Sequence, residues 1–168
     1  MSLRAAGIAA AQTEVFDHHG QRFLEVARFD RVGSLGRRAL HSLAALDAEF
    51  VGAGTSSWPL IARRLVDAGH TVPQAAEDAA LLWAFGTLIG NSDMHNGNLS
   101  FMSEHGRPYA LAPAYDMTTM AFAPRSSGGL PTSIAAPNIA ADVPNDVWRR
   151  AEDSGRRSRP GGGRSEGH

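Results

Sequence analysis

The sequence predicts an α+β fold, mostly helical, with a β-hairpin near its N-terminus and a second short hairpin after a polar loop. Period-two alternation flanks a Gly-containing turn at Gly20, the signature of paired strands. Stretches between Leu40 and Ile89 carry apolar residues at helical spacing or are apolar nearly all round. A crowd of small polar side chains, Gly90 to Asn98, then separates the last helix from two short strand-like segments. With 168 residues and 43% hydrophobic content, the chain can build a real core.

Met1 to Ala11 is Ala-rich and reads as the end of a helix closed near Gly7. Thr13 to Asp17 and Arg22 to Arg28 read as strands joined by His18-His19-Gly20-Gln21. Arg28-Phe29-Asp30-Arg31 leaves the hairpin, and Gly33 and Gly36 mark a flexible connection. Leu40, Leu43, Ala44, Leu46 and Phe50 predict a helix that Gly52-Ala53-Gly54 breaks. Ser56 or Ser57 caps a second helix running to about Ala68 and stopped by Gly69. Pro73 suits the first turn of a third helix, with Glu77 and Asp78 near its positive end. That helix runs to about Ile89, and its apolar last turns place it at the centre of the domain. Leu99 to Met102 and Pro108 to Ala112 read as a hairpin. Beyond Asp116 the chain is irregular, and from Arg149 its Arg, Gly, Ser and Pro content predicts a disordered tail.

Composition excludes several function classes. There is no cysteine, hence no disulfide framework, zinc–thiolate site or thiol nucleophile. No apolar run is long enough to span a bilayer and no signal peptide is evident, so a cytoplasmic location without membrane attachment is expected. The net charge of −1 gives no nucleic-acid footprint. All sixteen basic residues are Arg, and the absence of lysine matters for any chemistry on phosphates.

Asn, Asp and Gly are favoured at helix ends, which accounts for Asn91 or Gly97 singly. It does not account for Asn91, Asp93, His95, Asn96 and Asn98 crowded beside an apolar helix. Asp93 and Asn98 have the five-residue spacing of a protein-kinase catalytic loop, where the Asp takes the substrate proton and the Asn holds magnesium. A hairpin between Asn98 and Asp116 can return the chain so that both share one hard, oxygen-seeking ion. His18 and His19 read as solvated turn residues, while His41, His70 and His105 read as structural. Gly33 to Gly36 and Gly52 to Gly54 lack the setting of a phosphate loop.

Gly90-Asn91-x-Asp93-x-His95-x-x-Asn98 resembles, at every fixed position, the catalytic loop of the HipA family of bacterial Ser/Thr protein kinases, toxins of HipA–HipB pairs. Ala112 to Asp116, ending in Tyr115-Asp116, and Arg28 to Arg31 resemble that family's metal-binding segment and hinge. The resemblance implies a kinase-like C-lobe over 32–148, a remnant of the N-lobe over 1–31 and the tail at 149–168. It implies Asp93 as catalytic base and Asn98 and Asp116 as magnesium ligands. Ala27, Arg28 and Phe29 would form the hinge at the ATP adenine, with His95, Asn96, Gly97, Asn98, Tyr115 and Asp116 along the nucleotide. The implied partners are a protein serine substrate and a HipB-like antitoxin. The phosphate-covering loop and strand Lys of the family have no counterpart here, so this fragment is expected to transfer phosphate poorly alone. Two other readings stand beside it. One is a non-catalytic module contacting an antitoxin or target. The other is a metallophosphoesterase, suggested by Asp93-Met94-His95 with Asn91 nearby but short of later ligands.

Overall fold

In the computed structural model, residue 3, residues 7–122 and residues 145–157 are described, the side chains of 154–157 excepted. β1 (Thr13–His18) and β2 (Gln21–Val26) pair antiparallel from Thr13↔Val26 to His18↔Gln21. The turn is the two-residue His19-Gly20, both at positive φ, which matches the twist of the strands. Every residue of this hairpin is exposed, including Val15, Phe16, Phe23 and Leu24. Of the helix end expected before Gly7, residues 1, 2 and 4–6 lie outside the described residues; Gly7 has φ +80°, and after it Ala10 forms a parallel bridge with Ala114.

The expected flexible connection is a small hairpin, β3 (Arg31–Val32) with β4 (Gly36–Arg37). It follows a tight ion pair in which Arg28 Nε and its neighbouring nitrogen donate to the two Asp30 carboxylate oxygens at 2.6 and 2.5 Å. Asp30 is buried, and Arg28 holds its carboxyl below the ordinary value of 3.8. A carboxyl that titrates lower folded than unfolded contributes stability present above the unfolded pKa and lost as pH falls through the folded one. Urea midpoints are therefore expected to fall as pH drops below about 4. Asp30→Asn should flatten part of that fall. An unchanged slope in the variant would show that Asp30 does not contribute to it.

The helix expected over Leu40 to Phe50 begins later. Ala39–Ser42 form β5, paired with β6 (Ser100–Ser103), which pairs in turn with β7 (Ala110–Leu111) in the order β5-β6-β7. Tertiary pairing overrides the helical spacing of Leu40. Ser42 then caps α1 (Leu43–Leu46), its Oγ accepting from Ala45 N at 3.2 Å. The turns widen through Asp47–Val51 and stop at Gly52.

α2 (Trp58–Asp67) starts on the Ser57 cap, and α3 (Gln74–Leu88) follows Pro73, both as the caps predict. α2 and α3 pack together through Trp58, Ile61, Leu65, Leu81 and Leu82, all fully buried, with Leu43 and Phe101 beside them. α4 (Asn145–Arg157) adds Val147 and Ala151 to this core. The stretch from Arg149 to Arg157, read from composition as the start of a disordered tail, is thus helical, continuing a helix that buries Val147 and, four residues on, Ala151. Residues 158–168 lie outside the described residues. Among those described, no helix is long and apolar enough to cross a membrane. Among the described residues the fold is mixed α and β, four α-helices with small sheets, in line with the predicted α+β class.

Candidate functional site

The polar loop leaves α3 through a tightly specified helix end. Gly90 adopts φ +70°, its N–H donates to Thr87 O at 3.1 Å, and Asn91 N–H donates to Gly86 O at 2.8 Å. This is the helix-closing pattern that favours Gly, since any side chain there is strained. It turns the chain so that Asn91 points inward.

Asn91 is the organising residue of the site, and the sequence reading gave it no role. It is buried, and its Oδ1 accepts from Asp93 N at 2.9 Å. Its Nδ2 donates to the carbonyl of Asp116 at 3.4 Å. One amide therefore ties the loop to the segment arriving from β7, and brings Asp93 and Asp116 together. The signal was available: an Asn right after a helix-closing Gly must satisfy a buried amide somewhere.

Asn98 completes the loop. Its Nδ2 donates to Asp93 O at 2.9 Å, and its backbone N donates to His95 O at 3.0 Å. With the amide nitrogen so occupied, Oδ1 is the atom of Asn98 left to accept a ligand. His95 Nδ1 accepts from Gly97 N at 3.0 Å, so the neutral ring carries its proton on Nε2, which lies 3.8 Å from Asp93 Oδ1. A Cβ at residue 97 would sit 2.7 Å from His95 Cε1; only Gly lets the ring fold back.

Tyr115 and Asp116 meet this loop. Tyr115 Oη bonds Ser100 Oγ at 2.6 Å and donates to Gly97 O at 3.3 Å. Asp116 has φ +54°, a conformation Asp tolerates better than most residues, and its exposed carboxylate takes no hydrogen bond among the described residues. Phe29 places its ring 6.1 Å from that of Tyr115, joining one hinge residue to the site. The other two are held elsewhere: Ala27 N donates to Gln12 O at 2.9 Å, and Arg28 pairs with Asp30. Asn96 turns inward, its Nδ2 donating to Thr55 O at 2.9 Å and its carbonyl accepting from Ala44 N at 3.0 Å. It anchors the loop to the segment before α2.

Among the described residues no three His, Asp or Glu side chains converge as a metal site. A free amide oxygen on Asn98 and a free carboxylate on Asp116 are oxygen donors of the kind magnesium uses, with waters and substrate phosphates filling its remaining positions. The donor set fits magnesium.

The model of the HipA-like C-terminal domain matches residues 1–160. The chain is 41% identical over 151 residues to "Toxin YjjJ" of Escherichia coli (strain K12), covering 89% of this chain and 33% of that one. It spans about a third of the length of that curated relative. Among solved structures, the Helicobacter pylori proinflammatory kinase CtkA superposes with a TM-score of 0.53 at 17% identity, over 70% of this chain and 42% of the other. HipA from a Shewanella oneidensis MR-1 complex of HipA, HipB and operator DNA gives 0.49 at 23%, over 68% and 32%. The chain belongs to the family of HipA-like C-terminal domains.

Proposed function

We propose that this chain is the C-lobe of a HipA-like Ser/Thr protein kinase, serving phosphoryl transfer from ATP to a protein serine. The observation that carries the reading is the Asn91 amide, which joins Asp93 and Asp116 across the sequence and leaves Asn98 Oδ1 and the Asp116 carboxylate as free donors. Asp93, exposed at the loop surface, accepts the serine proton. Asn98 and Asp116 hold magnesium, and Tyr115, Phe29 and the loop from His95 to Gly97 flank the nucleotide. Bound ATP with magnesium supplies the transferred group and neutralises its charge.

In this reading residues 1–31 end the smaller lobe, and residue 32 onward, through α4, forms the larger one. The exposed apolar side chains of the β1–β2 hairpin support further strands from that smaller lobe packing on it, because a lone two-stranded hairpin is marginally stable in water. Since the chain has no lysine, in this reading any lysine on the phosphates is supplied from outside these residues. A HipB-like antitoxin is the proposed partner, by family, and the cytoplasm the proposed location. Losing one phosphate contact costs roughly 10²–10³ in rate by analogy with oxyanion donors. Labelled-phosphate transfer by the isolated chain is therefore expected near background.

Binding tests the site directly. ATP with magnesium is expected to raise the melting temperature, the stabilisation reaching about 2.7 kcal/mol at a hundredfold excess over Kd. Asp116→Ala should abolish the rise. No rise with the unaltered chain, or the same rise in the variant, would overturn the assignment.

A further inference from the structure

A second concavity, none of whose lining residues belongs to the polar loop or to Tyr115-Asp116, lies between the β3–β4 hairpin and the ends of β5 and β6. It is a cleft of about 680 Å³ lined by Arg37, Arg38, His41, Glu104, His105 and Tyr109, among others. Its size is that of ligand sites, roughly 300–1,000 Å³. We propose that this cleft binds a phosphoryl group, free or carried on a peptide side chain.

The argument is one of uncompensated positive charge held in a concave site. Arg37 stands directly across from Arg31 in the β3–β4 register; Arg31 lies 3.7 Å from the Asp30 carboxylate, whereas no carboxylate among the described residues neutralises Arg37. The Arg37 guanidinium makes no hydrogen bond or ion pair among the described residues. Two guanidiniums line the cleft against one carboxylate, Glu104, and two imidazoles add hydrogen-bonding ring nitrogens. That carboxylate is already engaged, at 2.9 Å, with Arg38. His41 is braced against the Tyr109 ring, centroids 4.8 Å apart, which holds one imidazole in the wall.

A phosphate monoester carries about −1.5 to −2 charges and three acceptor oxygens, and guanidinium forks match it with paired bonds. It can take Arg37 directly and draw Arg38 away from the weaker monoanion Glu104. A smaller cleft of about 310 Å³ shares Arg38, Ser103 and Glu104, so moving that ion pair opens space for the group bearing the phosphate.

The test uses the whole 168-residue chain, with EDTA and without nucleotide, so that the loop's metal donors play no part. Fluorescence anisotropy follows a labelled phosphoserine peptide with alanine flanks, its unphosphorylated counterpart, and displacement by inorganic phosphate. The phosphopeptide is expected to bind saturably, at least about tenfold tighter than the parent peptide. Arg37→Gln should weaken it about tenfold, and Glu104→Gln should tighten it by freeing Arg38. Gain of affinity in the second variant cannot come from misfolding. Displacement by inorganic phosphate near the phosphopeptide's own Kd would identify free phosphate as sufficient. Displacement only at far higher concentration would identify the peptide-borne group, and either supports the site. Absence of saturable binding by both probes, or binding indifferent to both substitutions, would overturn it.

Discussion

Gly90→Val is expected to destabilise the protein by about 2–5 kcal/mol and to remove the nucleotide-dependent rise in melting temperature. A non-Gly residue in the left-handed region costs about 1–2 kcal/mol, and a β-branched one is least tolerated there. Steric crowding adds about 1–3 kcal/mol. A Cβ at Gly90 would lie 2.8 Å from Ala121 Cβ and 3.3 Å from the Phe122 ring. The Ala121 methyl has no rotamer through which to retreat, and Ala121 N is itself bonded to Gly90 O at 2.9 Å. Either the helix end unwinds or the segment after Asp116 is pushed away, and both outcomes pull on Asn91. Urea denaturation measures the first effect and thermal shift with ATP and magnesium the second. Gly90→Ala should fall between wild type and Val. A Val variant with an unchanged midpoint would show that the helix end is not specified by this glycine.

Trp58→Ala should cost about 3–5 kcal/mol, a large share of the 5–15 kcal/mol typical of a domain. Trp58 is 1% exposed at the first turn of α2, its ring 5.5 Å from that of Trp83 on α3. Truncation leaves a cavity between the two helices that carry the core. Trp58→Phe separates packing from polarity. The Trp58 indole N–H is buried and has no partner among the described residues, so Phe keeps most of the ring contact while removing an unsatisfied donor. Phe is expected to lose less than half of what Ala loses, read by urea denaturation with fluorescence from Trp83 and Trp148. A cost below about 1 kcal/mol for Ala would mean that α2 and α3 are held by something other than this contact.

Much of the local structure was legible because its causes are local. Gly20 between alternating segments predicted the first hairpin, and Ser57, Pro73 and Gly69 set the limits of α2 and α3 within a residue or two. Two of the errors of type share one cause. Leu40 has helical spacing, yet its strand pairs with Met102, far along the chain. Arg149 to Arg157 has the composition of a solvated tail, yet Val147 and Ala151 nearby find buried places beside α3. Propensity and composition describe a segment alone, and partners distant in sequence outweigh both.

The candidate site divides along the same line. Asp93, His95, Asn98 and Asp116 were nameable from their spacing and chemistry, because a loop that crowds polar groups beside an apolar helix has few structural uses. What the residues do to one another was not nameable. That Asn91 would join Asp93 to Asp116, that Asn98 would spend its nitrogen on Asp93 and keep its oxygen free, and that Phe29 would reach Tyr115 all depend on packing. The sequence by itself determined which groups are present and the turns that expose them, since caps and positive-φ glycines act over a few residues. Only the tertiary structure decided which polar atoms are satisfied and which remain for a ligand, because hydrogen-bond partners are chosen among groups that burial brings together.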